Sequence, residues 1–169
     1  IKRVDIRNSD LKVSHLLGLS IEKCFIESIA NTIGTDFRPY KIVKKGQFAY
    51  GPVTSRNGDK ITIALLKEAD VCIISSSYSV FEITDTTKLL PEYLMLWFSR
   101  PEFDRYARYK SHGSVREIFD WDEMCRVELP VPDLKEQQKI VDAYNTITKR
   151  IQLKQKINEN LEKTVQCLF

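Results

Sequence analysis

From Asp133 to Phe169 the chain contains neither proline nor glycine, and apolar residues return at intervals of three and four. Stepping by sevens, Ile140, Ile147, Lys154, Leu161 and Leu168 form one row, and Tyr144, Ile151, Asn158 and Val165 form the row beside it. Rows so spaced fall on one side of an α-helix and make a coiled-coil seam. Asp133 suits an N-cap, and Glu136 three residues on completes a capping-box-like start. At ~1.5 Å per residue, the 37 residues would extend about 55 Å, longer than a small domain is wide. The segment could lie as an amphipathic helix on its own domain or pair with another helix. Its length favours the partner helix, as do the polar Lys154 and Asn158, since polar residues in a seam fix register at a cost in stability.

Upstream the pattern is different. Short apolar runs at 15–21, 60–66, 70–75 and 78–83 are rich in β-branched and aromatic residues and separated by Gly, Asn, Asp and Ser, as strands are. Asn57-Gly58 between apolar segments signals a hairpin turn, and 40–53 reads as extended chain around a turn at Lys45-Gly46. Residues 91–112 read as two short helices, with Pro91 and Pro101 in their first turns and Glu92 and Glu102 at the positive end of each dipole. Residues 124–132 read as one more strand, ending at Pro130 and Pro132. The fold expectation is α+β: a mixed α/β domain with a largely antiparallel sheet over residues 1–132, then a long coiled-coil helix over 133–169.

A chain of 169 residues with 43% hydrophobic and 29% charged residues fits one folded core. Cys24, Cys72, Cys125 and Cys167 are widely spaced, with no Cys-x-x-Cys pair and only two histidines beside them, so neither a metal site nor a disulfide framework is expected. A reducing cytoplasm suits such cysteines, and no apolar run reaches the roughly 20 residues that span a bilayer. The chain opens on Ile1 rather than Met, as a piece of a longer chain would.

Net charge is +3, but it is unevenly placed: residues 38–60 carry +5, residues 99–116 carry +3, and the remainder carries −5. Both cationic stretches hold aromatics: Tyr40, Phe48 and Tyr50 in the first, Tyr106 and Tyr109 in the second. Lys and Arg neutralise backbone phosphates, and loop-borne Arg, Lys, Asn and Gln can read base edges. The stretch KSHGSVREIFDW (110–121) also sets His112 near Glu117, Asp120 and Asp122, residue types that serve in acid–base catalysis. No nucleophile elbow, phosphate-binding glycine cradle or His-Glu-x-x-His helix accompanies them. Nucleic-acid binding therefore accounts for more of the residues than catalysis does.

The segments ELPVPDLKEQQKIVDAYNTITKRI (128–151), KINENLEKTVQCLF (156–169), PEYLMLWFSRPEF (91–103), HGSVRE (112–117) and FRPYKIVKKGQFAYGP (37–52) resemble the specificity subunits of type I restriction-modification systems. The match corresponds to one target-recognition domain followed by one conserved spacer helix. Members of that family hold two such units, whose helices pair antiparallel and whose domains each read half of a bipartite DNA site. The resemblance implies double-stranded DNA, methyltransferase subunits and a restriction subunit as partners. S-adenosylmethionine, ATP and magnesium would be bound by those partners, with no cofactor and no catalytic residue in this chain. With one unit only, the chain would be a half-subunit, a fragment or the recognition end of a fused restriction-methyltransferase, and homodimerisation through 133–169 would rebuild the two-domain frame. A metal-dependent nuclease is the reading from a different class.

Expected DNA contacts are Lys110, His112, Ser114 and Arg116, with Gly113 allowing close backbone approach. Arg56, Asn57 and Lys60 come second and Arg38, Lys44 and Lys45 third. Arg116 could instead pair with Glu117 or Asp120, while Phe119 and Trp121 read as core anchors. The helix-pairing positions are Ile140, Tyr144, Ile147, Ile151, Lys154, Asn158, Leu161, Val165 and Leu168.

Overall fold

The computed structural model describes residues 1–29, 32–55, 57–113 and 116–166. In chain order its strands are β1 (Lys2–Val4), β2 (Leu17–Leu19), β3 (Phe25–Glu27), β4 (Lys41–Lys44), β5 (Phe48–Tyr50), β6 (Ile63–Leu65), β7 (Val71–Ile74) and β8 (Ser79–Glu82). The helices α1 (Pro91–Phe98), α2 (Pro101–Lys110), α3 (Trp121–Cys125) and α4 (Leu134–Gln166) follow. β1, β8, β5 and β6 form a four-stranded antiparallel sheet in that order, β4 pairs with β7, and β2 with β3, all antiparallel.

Around β5, β6 and β8 the sheet has a buried face on each side, which is why these strands read as continuous apolar runs rather than alternating ones. Phe48, Tyr50, Ile63, Leu65 and Phe81 meet Leu94, Met95, Phe98, Phe103, Phe119 and Met124 from the helical side. On the other face, Ala49 and Val80 meet Val43, Cys72 and Ile74 of the β4–β7 pair. The turn at Lys45-Gly46 carries the chain between the two layers: Gln47 N donates to the Lys44 carbonyl (2.9 Å), and Gly46, at φ +84°, takes the left-handed backbone glycine favours.

Two sequence expectations need correction. No strand runs through 124–132: residues 121–125 are helical because the Asp120 carboxylate accepts from Glu123 N (2.9 Å) as an N-cap. Val127 and Leu129 are apolar because they pack on the core from a segment without regular secondary structure. Asn57-Gly58 does form a turn, with Gly58 at φ +62°, but at the tip of a long arm joining β5 to β6 rather than in a two-residue hairpin.

α1 and α2 begin at Pro91 and Pro101 as expected. α4 begins where Asp133 accepts from Glu136 N (2.9 Å). Its first turns are anchored by Gln137, fully buried, which accepts from Leu90 N (2.9 Å) and donates to the carbonyls of Lys88 (2.8 Å) and Pro132 (2.7 Å). Val141 is also buried, whereas Ile140, Tyr144, Ile147, Ile151, Leu161 and Val165 are exposed. The helix thus leaves the domain with an uncovered apolar stripe over most of its 33 residues, about 50 Å.

Candidate nucleic-acid interface

The arm between β5 and β6 and the glycine-containing loop after α2 lie some 60 residues apart in sequence, yet backbone hydrogen bonds join them. Thr54 N donates to the Glu117 carbonyl (2.9 Å) and Phe119 N to the Pro52 carbonyl (2.8 Å), while Thr54 Oγ1 donates to Ser111 Oγ (2.9 Å). Within the loop, His112 and Ile118 exchange both backbone bonds, at 3.0 and 2.8 Å, and so pinch it shut at its base. The Tyr50 end of β5 therefore carries a compound surface of two linked loops.

Gly113 has a specific role in this closure. Its φ is +136°, and a Cβ there would run into the Arg116 carbonyl oxygen and stand 3.0 Å from the carbonyl carbon. Gly113→Ala is expected to cost about 1–3 kcal/mol of local or global stability through backbone strain. Thermal unfolding checks it; an unchanged melting temperature would show that the loop relaxes freely.

The loop's carboxylates are already engaged. Glu117 pairs with Arg108 (2.5 Å), Asp120 caps α3, and Glu123 pairs with Arg126 (2.6 Å), with Lys110 at 3.8 Å. Among the described residues none of them pairs with Arg116 or His112, both exposed. Arg116 instead lines a cleft of about 370 Å³ with Gly51, Asn57, Thr62, Ser77 and Tyr78. Among the described residues the arrangement does not assemble an acid–base pair; it leaves the Arg116 guanidinium, a group with five N–H donors, lining a cleft with no carboxylate partner.

The other expected contacts divide. Asn57 is at the arm tip, but its amide donates to the Val53 carbonyl (3.2 Å) and Thr62 Oγ1 (3.0 Å), holding the arm's shape. Lys60 pairs with Glu22 (2.8 Å), which raises its ammonium above the ordinary lysine range. Arg38 is exposed, 3.6 Å from Asp36, just before the Lys41 end of β4; that end reaches the same region, since Lys41 Nζ donates to the Tyr78 carbonyl (2.6 Å). Lys44 and Lys45 lie at the opposite end of β4, where Lys45 is 3.5 Å from Asp70. Arg56 and Ser114 fall outside the described residues, as does Leu168.

Of the aromatics in the cationic stretches, Phe48 and Tyr50 belong to the core, and burial pushes the Tyr50 hydroxyl up to about 12. Tyr106 packs on Phe119 at 6.1 Å, and Phe119 and Trp121 are core anchors as expected. Tyr109 differs: it is 82% exposed, and with Lys60, Arg105 and Arg108 it lines a cleft of about 640 Å³ between α2 and the arm. Arg105 and Tyr109 join the surface through helical i, i+4 spacing, a signal present in the sequence but unused without knowing which face α2 buries.

Among the described residues no group of three or more His, Cys, Asp or Glu side chains could hold a metal ion, and no helix is long and apolar enough to cross a membrane. A small α+β domain that gathers loop-borne cations at one end and projects a helix with an uncovered apolar stripe has the form of a macromolecule-binding module. The profile of the type I restriction modification DNA specificity domain matches residues 29–163, and the chain belongs to that family. It is 28% identical over 131 residues to the type I restriction enzyme HindI specificity subunit of Haemophilus influenzae (strain ATCC 51907 / DSM 11121 / KW20 / Rd), which covers 76% of this chain and 28% of that protein. The chain therefore spans little more than a quarter of that curated relative. Among solved structures, a chain from a study of complex assembly and conformational transition of the type I R-M system shares the fold, with a TM-score of 0.52 at 18% identity over 76% of this chain and 29% of that one.

Proposed function

We propose that the chain is a sequence-reading unit of a type I restriction-modification specificity subunit, which binds one half of a bipartite double-stranded DNA site in the cytoplasm. The observation that carries the DNA contact is the fusion of arm and glycine loop into one surface on which Arg116 and His112 have no carboxylate partner among the described residues. Phosphate contacts would come from Lys110, Arg105 and Arg38, and base reading from Arg116 at its cleft, where a guanidinium matches the O6/N7 edge of guanine. α4 supplies the pairing surface, either with the helix of a second unit in a longer subunit or with a second copy of this chain. On the resulting frame, methyltransferase subunits would modify adenine with S-adenosylmethionine and a restriction subunit would cleave with ATP and magnesium. This chain would hold no cofactor and perform no chemistry itself.

Titration of Arg116→Ala against a panel of duplexes tests the reading. The expected result is a loss of about 1–3 kcal/mol on the preferred sequence and relaxed choice at one base position, whereas Lys110→Ala should weaken all sequences and reduce the salt slope by about one unit. If Arg116→Ala bound every duplex as the parent does, the glycine loop would not be the reading surface.

A further inference from the structure

The turn between β2 and β3, residues 20–24, lies outside both cationic stretches, yet it borders the cleft that Arg116 lines. We infer that this turn is a third element of the reading surface and that Ile21 is a specificity-determining residue, which touches the C5 methyl group of a thymine in the major groove beside the base edge that Arg116 reads. This rests on reading the linked arm and glycine loop as the DNA surface.

The cleft of about 370 Å³ brings Arg116 and the arm's Pro52 and Val53 together with Leu19 and Ile21 of the hairpin. Ile21 is 45% exposed. A single exposed isoleucine is ordinary on a protein surface, and what sets this one apart is the rigidity of its support. Ser20 N donates to the Cys24 carbonyl (3.0 Å), Lys23 N to the Ser20 carbonyl (3.0 Å) and Glu22 N to Ser20 Oγ (3.1 Å), so the turn closes on itself. Two ion pairs then fasten it to its surroundings: Lys23 to Asp104 of α2 at 2.6 Å, and Glu22 to Lys60 at the root of the arm at 2.8 Å. Lys23 takes a φ of +61°, a left-handed backbone that a lysine keeps only where its surroundings fix it. Ile21 is thus an apolar side chain presented to the cleft from a pinned turn, and little backbone freedom is left to lose on contact.

The base edges of duplex DNA offer such a side chain one apolar partner of distinct identity, the thymine methyl group, which lies in the major groove. The O6/N7 edge of guanine that a guanidinium matches lies in the same groove, so two side chains that share one cleft address base edges of one groove. The cations at the turn are matched, Lys23 by Asp104 and Lys60 by Glu22. Its contribution is therefore to the choice of base rather than to affinity for phosphates.

Thymine-to-uracil scanning with the full chain tests this. Uracil keeps the hydrogen bonds of the pair and lacks the C5 methyl group, so each substitution in a duplex enriched from a random pool by the same protein removes one methyl group. The parent is expected to lose about fourfold in affinity at one thymine, the worth of one methyl group taken out of water. Ile21→Ala should bind the thymine and uracil duplexes equally well, with the salt slope of the parent, because no charge has changed. A preferred duplex in which no uracil weakens the parent would overturn the inference, as would a methyl preference that Ile21→Ala retains. Either result leaves the glycine loop standing as the reading surface where Arg116→Ala relaxes base choice on the same duplexes. A chain that enriches no duplex at all would overturn both.

Discussion

Asp104→Ala is expected to lower the unfolding free energy by about 3–5 kcal/mol, among the largest effects of any single polar substitution in this chain. Asp104 and Lys23 form an ion pair at 2.6 Å with both side chains nearly buried. The same carboxylate oxygen accepts from Ile61 N at 3.0 Å, and Lys23 Nζ also donates to the Phe98 carbonyl at 2.7 Å. One cluster thus ties the β2–β3 turn, the end of α1, the side of α2 and the root of the arm. Truncating Asp104 strands the ammonium and the Ile61 amide away from water, and the cost of those orphans exceeds the net worth of the pair. Burial already pulls the Lys23 ammonium below its ordinary range, partly opposed by Asp104. With Lys23 pKa lower in the folded than in the unfolded state, the unfolded chain binds the proton more tightly, so stability rises with pH through that window. The deficit of Asp104→Ala should therefore narrow toward alkaline pH as Lys23 sheds its proton, and urea denaturation across pH reads it. A loss under 1 kcal/mol, flat with pH, would show that water reaches the cluster.

Phe81→Ala should cost a similar amount, about 3–5 kcal/mol, by a different cause. Phe81 is fully buried on β8 and touches four rings: Phe48 stacked at 4.9 Å, Trp121 at 5.7 Å, and Tyr50 and Phe98 each at 6.2 Å. These rings come from the sheet, α1 and α3, which cannot all move inward to fill the space, so the cavity penalty adds to the lost transfer energy. Phe81→Leu keeps most of the volume and should recover well over half of the loss. Equal melting temperatures for the alanine and leucine variants would show that the helices collapse onto the sheet.

Much of this fold is legible in the sequence where local chemistry decides it. The prolines of α1 and α2, the Asp133 cap and the unbroken helical pattern beyond it act within a turn or two of their own positions. Apolar runs mark β5, β6 and β8 because both faces of the four-stranded sheet are covered there. The segment 124–132 misleads because Val127 and Leu129 are apolar for packing, and a strand exists only where another edge pairs with it. The site was legible in composition but not in placement. Charge counted along the chain cannot tell that Lys44 and Lys45 finish β4 at the end away from the glycine loop, or that Asn57 and Lys60 are held by Thr62 and Glu22. Nor does it show that Thr54 and Phe119 stitch the arm to the loop, since those bonds join residues that only the tertiary fold brings together. The ion pair of Lys23 and Asp104 is hidden in sequence for the same reason, since 81 residues separate its partners and Asp104 sits in the first turn of α2, where acids are common.

We propose that the linked arm and glycine loop form the surface that reads DNA. Amide hydrogen exchange of the full chain, alone and saturated with a duplex enriched from a random pool by the same protein, tests it directly. Slowed exchange is expected at 51–62 and 111–118, with the turn at Lys44–Gln47 and the β7 end at Asp70 unchanged. Protection confined to that opposite end, with the arm and loop exchanging as in the free protein, would contradict it.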